Sequence, residues 1–239
     1  IPIEIFGRTE FPPISDSPYF LSLGPYAIYW FTLKLQPALV QAKPTTEMPT
    51  LVVGDRWQAV FWHSELKSRL EAFLPDFLMQ YSWFSGRTRS IQMTQIVEAI
   101  SLPYQEREAY LICVQVDYMQ GAPQNYWMFL SHAEGERAIH LLADAPQSVV
   151  ARLRLPGVNE VAILFDAIAD KVFLTSLLTS TLKHQTFRGV SGELTATATE
   201  LFAVFSQGHE TVDPMTLKGE HSNTSIIYSD ATRLETSPQ

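Results

Sequence analysis

The chain has 239 residues, 46% hydrophobic and 18% charged, which is enough apolar material for a buried core and excludes a disordered tail. A net charge of −8 with a pI near 5.2 repels a phosphate backbone, and no five-residue window gathers the lysines and arginines of a nucleic-acid footprint. No apolar run approaches the roughly 18 to 20 residues of a membrane span and no signal-peptide pattern opens the chain, so the expectation is a cytoplasmic protein with neither nucleic acid nor membrane as partner. The first residues, "IPIEIFG", already alternate like a strand in progress and read as part of something longer.

Two further strand-like runs, Tyr19 to Leu23 and Ala27 to Leu35, flank Gly24 and Pro25 and predict a hairpin. Alternation places Ile28 and Trp30 on one face and Tyr29, Phe31 and Leu33 on the other, so both faces require cover. "QPALVQAKPTTEMPT" then has the composition of a linker. Beyond "LVVGDRWQAVF", Leu66, Leu70, Phe73, Leu74 and Phe77 recur at helical spacing, with a start near Ser64 and a disturbance at Pro75. Ile91 to Ile100, Tyr110 to Tyr118 and Asn125 to His132 predict an antiparallel meander, its last two strands joined through "MQGAP". A second helix is expected from about Asp166, as N-cap, to His184, and "ELTATAT" and "MTLKG" return to strand. Helix against antiparallel sheet makes this an α+β protein.

Spacing decides against most chemistry. The six histidines form no His-x-x-x-His or His-Glu-x-x-His pattern, so no metal site is expected. Cys113 stands alone in "YLICVQV" and reads as a buried thiol. "GVSGE" brings its second glycine one residue too early for a nucleophile elbow, which makes Ser191 a turn residue. Asp166 and Asp170, one helical turn apart, read as a solvated face, and Arg87 and Arg89 as surface cations rather than an anion clamp. The polar loop Ser222, Asn223, Thr224 and Ser225 between two strands has the hydroxyl and amide groups to meet a phosphate, as do many hairpin turns.

Four ordered segments carry a resemblance. "LPDFLMQYSWFSGRTRSI", "VQVDYMQGAPQNYWMFL", "LFDAIADKVFLTSLL" and "GEHSNTSIIYSD" resemble segments of maltokinases, while the first 35 residues are similar to the end of trehalose synthase. The resemblance implies a fusion of the two: residues 1–35 a β-domain tail of the amylase type, 36–55 a linker, 56–157 a maltokinase cap with its sheet curled around a helix, and 158–239 the start of a kinase-like nucleotide lobe. It implies a parent enzyme that interconverts trehalose and maltose and phosphorylates maltose with ATP and Mg²⁺, with Ser222, Asn223, Thr224 and Ser225 as the ATP phosphate loop. No phosphate-binding lysine strand follows Asp230 and the metal carboxylates of a kinase lobe are missing, so the chain alone is expected to be inactive. Its implied partners are maltose, ATP and the remaining kinase lobe or synthase. Two other classes of function remain open: an interaction module that binds a partner enzyme, and carbohydrate binding through Tyr26, Tyr29 and Trp30, for which core packing is the competing role.

Overall fold

Alternating apolar residues far apart in sequence pair at the start of the chain, where β1 (Pro2–Glu4) runs antiparallel to β2 (Phe31–Leu33), Ile3 opposite Thr32. In the computed structural model, the described residues are 2–4, 28–33, 48–54, 56–157, 160–199, 212–216 and 224–230. Two compact units divide the chain, Ile1–Glu47 and Met48–Gln239. Within the first, Ile28, Tyr29, Trp30 and Phe31 are all exposed, and Tyr29 and Phe31 stack with ring centroids 6.2 Å apart. The expected strand Tyr19 to Leu23, its turn at Gly24 and Pro25, and Tyr26 lie outside the described residues.

The second unit is built on a six-stranded sheet in the order β3-β7-β8-β6-β5-β4. Its strands are β3 (Thr50–Val52), β4 (Ile91–Tyr104), β5 (Arg107–Tyr118), β6 (Gln124–Glu134), β7 (Val149–Arg154) and β8 (Ala162–Asp166). The expected meander is present as β4, β5 and β6, with Gln105 taking a positive φ of 50° in the tight turn between the first two. β3 pairs in parallel with β7, so residues within the linker-like stretch form an edge of the main sheet, and Leu51 is fully buried there. β8 lies between β7 and β6, so one sheet continues across the expected boundary at 157/158.

One face of this sheet is covered by α1 (Ala59–Trp62) and α2 (Ser64–Leu78). Of the predicted stripe of α2, Leu70, Leu74 and Phe77 are buried, with Leu78 beside them, against Ile96, Ile112, Val114 and Val116, while Leu66 and Phe73 are partly buried; each fully buried side chain contributes about 1.5–3 kcal/mol. On the other face, α3 (Gly135–Asp144) covers Ile163 and Phe165. The half nearest the β4–β5 turn is covered by α4 (Lys171–Leu182) and two short hairpins, β9 (Thr186–Arg188) with β10 (Glu193–Thr195) and β11 (Val212–Thr216) with β12 (Ile226–Asp230). Asp166 does not cap the long helix as expected. It caps a single 3-10 turn, Ala167–Ala169, by accepting from the Ile168 amide, and Asp170 caps α4 by accepting from the Val172 amide.

Pro75 does not break α2. A proline removes the amide that would bond the carbonyl four residues back, here that of Glu71, and the Thr94 hydroxyl of β4 donates to that carbonyl instead. The Glu71 side chain then accepts from the Ile96 amide at 2.7 Å. A proline in the helix and an edge strand thus satisfy one another's open backbone groups. Thr94→Val, which keeps the shape and removes the hydroxyl, is expected to cost about 1–3 kcal/mol in chemical denaturation, and much less in a Pro75→Ala background, where the restored amide can bond Glu71.

Candidate functional site

The register of β4, β5 and β6 fixes which side chains share the uncovered part of the sheet. β4 carries a bulge between Ile96 and Glu98, so Met93 and Gln95 before it and Glu98 and Ile100 after it lie on the face away from α2. Gln95 stands opposite Gln115, and Gln115 opposite Asn125, making a row of three side-chain amides straight across the strands. At about 4.8 Å between strands the row is about 10 Å long. The adjacent row is Glu98, Cys113 and Trp127, and beyond the amides stands the pair Met93 and Asp117. Trp127 is 54% exposed in the middle of a strand, whereas α4 and its hairpins cover only the half of the face that holds Ile100, Leu102 and Leu111. The result is an open, nearly uncharged surface with one large aromatic ring. Gln115 donates to Asp117 at 3.1 Å, and no hydrogen bond among the described residues engages the side chains of Asn125 or Trp127.

Two anchors hold the borders of this surface. Arg89 donates to the carbonyls of Gln120 and Ala122 at 2.9 and 3.2 Å while its guanidinium lies 3.4 Å over the Tyr118 ring. The β5–β6 loop that leads into Asn125 and Trp127 is thereby clamped, and Gly121, at φ +93°, leaves no space for a Cβ beside Arg89. At the opposite border, Glu98 accepts from the amides of Val190 and Ser191 and from the Ser191 hydroxyl at 2.7–2.8 Å. Burial alone would raise the Glu98 carboxyl, but these bonds and the one from the Ala99 amide hold it down at about 2. Ser191 is a turn residue, as its spacing predicts, and a Cβ on Gly189 would collide with Glu98 and Ile100.

The remaining polar centres are structural. Asp166 and Asp170 are not a solvated face: both are largely withdrawn from water. Burial pushes the Asp166 carboxyl up to about 6, against bonds from the Ile168 amide and the Tyr81 hydroxyl at 3.1 and 3.0 Å. Asp170 receives Arg137 at 2.6 Å and the Tyr104 hydroxyl at 3.2 Å, which ties α3 and α4 to β4. His132 stacks on Trp57 at 4.9 Å and burial lowers its imidazole, opposed by Glu134 3.2 Å away. Cys113 is buried, which raises its thiol. Of the expected phosphate loop, Ser222 and Asn223 lie outside the described residues, and Thr224 and Ser225 are exposed ahead of β12. That hairpin docks on α4 through Lys171 and Asp213, 2.6 Å apart, and through the Tyr228 hydroxyl donating to the Leu174 carbonyl. Among the described residues, no group of three or more histidine, cysteine, aspartate or glutamate side chains is placed to hold a metal, and no helix is long and apolar enough to cross a membrane.

The residues of the open face were present in the sequence as alternation. Gln115 and Asp117 interleave with Val114 and Val116, and Asn125 and Trp127 with Tyr126 and Met128. Following that period across "MQGAP" puts the polar members on one side.

Comparison with known proteins changes the family expectation. Residues 1–30 match the family model described as Maltogenic Amylase, C-terminal domain. No curated protein matches the chain. These findings overturn the fusion of trehalose synthase and maltokinase: the amino-terminal segment matches an amylase domain, and no kinase or synthase relative supports the later segments. The maltose phosphorylation, the trehalose–maltose interconversion and the kinase lobe implied by that resemblance fall with it. The four quoted segments correspond to α2 with the start of β4, the β5–β6 hairpin, β8 with α4, and β12. Such strand and helix patterns recur in folds of many functions.

Two opposed titrations follow from this geometry. Glu98 sits below its ordinary 4.5, at about 2, so its contribution is complete above pH 4.5 and is lost as pH falls through about 2. In Glu98→Gln the stability deficit at pH 7 should therefore close towards pH 2, with faster amide exchange at Val190 and Ser191. Asp166 sits above its ordinary 3.8, at about 6, so the native state favours the protonated carboxyl and loses stability as pH rises from 3.8 through 6. Asp166→Asn should flatten thermal-melt midpoints across that interval.

Proposed function

We propose that this chain is a carbohydrate-binding accessory module, in which the open face around Trp127 receives a neutral glucan. The observation that carries this reading is the exposed indole set beside three cross-strand amides. A pyranose ring has an apolar face of C–H groups that packs on an aromatic plane, and an equatorial rim of hydroxyls that both donate and accept. Side-chain amides offer one acceptor oxygen and two N–H donors each, so Gln95, Gln115 and Asn125 suit that rim. They do so without the large desolvation penalty of a buried ion. Of the two carboxylates placed on this part of the face, Asp117 is bonded to Gln115, and Glu98 is buried and taken up by the amides of Val190 and Ser191. Glycosidic cleavage uses two carboxyl groups flanking the bond, so this surface is suited to holding a sugar rather than cutting it.

The family match of residues 1–30 supports an α-glucan as the sugar class, because it places this unit in the same chain as an amylase-type segment. Tyr29 and Trp30, the other aromatic candidates for sugar contact, belong to the other unit and are exposed there, and Tyr26 lies outside the described residues. Trp127 differs from them in having amide partners fixed by strand register.

In native gels containing soluble starch, the chain is expected to be retarded relative to gels without it. Trp127→Ala should weaken binding about tenfold or more, while the far-ultraviolet circular dichroism stays unchanged because the indole is not part of the core. Equal retardation of both proteins, or none of the parent, would overturn the reading.

A further inference from the structure

We infer that Asp117 is a positioning residue for the sugar face: it orients the amide row so that an amide oxygen is left to accept from ligand hydroxyls, an inference that rests on the carbohydrate reading above. Gln115 donates one N–H to the Asp117 carboxylate at 3.1 Å, two residues on along β5 and on the same face. Gln95 directs its amide nitrogen at the Met93 sulfur, 3.8 Å away and two residues back along β4. The strands are antiparallel and Met93 stands opposite Asp117, so two residues forward on β5 and two back on β4 lead to the same side of the row. Both glutamines therefore turn their nitrogens away from the row of Glu98, Cys113 and Trp127.

Anchoring one N–H of a planar amide also sets the direction of its oxygen, and leaves that oxygen and the second N–H for a ligand. Gln115 is held more firmly than Gln95, because a carboxylate is a charged acceptor and a thioether sulfur a weak one. Asn125 has no such anchor: Pro123 stands two residues before it, and no hydrogen bond among the described residues engages its side chain. The row thus joins two oriented amides to a free one that shares β6 with the indole. An unanchored amide exchanges oxygen for nitrogen at the same point in space, and a ligand loses affinity by having to fix it. Asp117 removes that cost at the centre of the row.

The test joins nuclear magnetic resonance of the Gln115 side-chain amide to calorimetric titration with maltoheptaose, on the full chain, for the parent, Asp117→Ala and Asp117→Asn. In the parent the two Gln115 amide protons should differ, the one on Asp117 shifting less with temperature. Asp117→Ala should abolish that difference and weaken maltoheptaose binding about fivefold or more. Asp117→Asn, whose carbonyl oxygen can still accept from Gln115, should restore the difference and return affinity to within about twofold of the parent. No difference between the two protons in the parent, parental affinity in Asp117→Ala, or equal weakening in both variants would overturn the positioning role while the sugar face stands. A parent that shows the proton difference but binds no maltoheptaose would overturn the sugar reading, and the positioning role with it.

Discussion

Of the two register shifts in β4, the extra residue between Ile96 and Glu98 sets how the amide row and Glu98 are arranged on the open side of the sheet. With the bulge at Val97, the strand presents Met93 and Gln95 and then Glu98 and Ile100 to one face, and Thr94, Ile96 and Ala99 to α2. Without it, strict alternation would carry Gln95, Val97 and Ala99 to the open face and send Glu98 into the apolar layer against α2, where an unpaired carboxylate is costly. The bulge therefore does two things together: it keeps the amide row in register with Gln115, and it delivers Glu98 to the loop at Val190 and Ser191.

Why part of the sheet stays open follows from where the helices are tied. Asp170 caps α4 and holds Arg137 of α3 and the hydroxyl of Tyr104, which concentrates the cover over β7, β8 and the β4–β5 turn. Ser131, whose hydroxyl donates to the Glu108 carbonyl and lies 3.0 Å from the Tyr104 hydroxyl, fastens the same corner from within the sheet. Among the described residues, nothing comparable draws an element across Gln115 and Asn125. Apart from Trp127, the side chains that β5 and β6 present there are polar, Gln115, Asp117 and Asn125, which weakens the hydrophobic drive to bury them.

The layers of the fold were legible in local pattern. The α2 stripe, the meander and the helix expected from about Asp166 to His184 are periodic signals, and each is present, the last as the shorter Lys171–Leu182. What escaped depends on pairing across long separations. That Thr50–Val52 is a strand depends on Val149–Arg154, and the exchange of caps between Asp166 and Asp170 depends on a 3-10 turn that no periodicity marks. Pro75 reads as a disturbance of the helix because its remedy, Thr94, lies on another element. The candidate site was half-written: its polar residues alternate visibly, but the bulge that aligns Gln95 with Gln115 breaks the alternation in β4 and hides the third amide. The family resemblance erred for the opposite reason, since short segments that encode a hairpin or a capped helix carry fold information without carrying chemistry.

The parallel edge has a consequence for the order in which this unit takes shape. Antiparallel neighbours β4, β5 and β6 need only tight connections, whereas Leu51 must wait for Leu153 before its strand has a partner. During synthesis from the amino terminus, the fully apolar Leu51 and its neighbour Val53 emerge from the ribosome long before β7 exists to receive them. Closing the sheet therefore requires Thr50–Val52 to be drawn back onto Val149–Arg154 across the whole span of the meander, a contact of far longer reach than any within it.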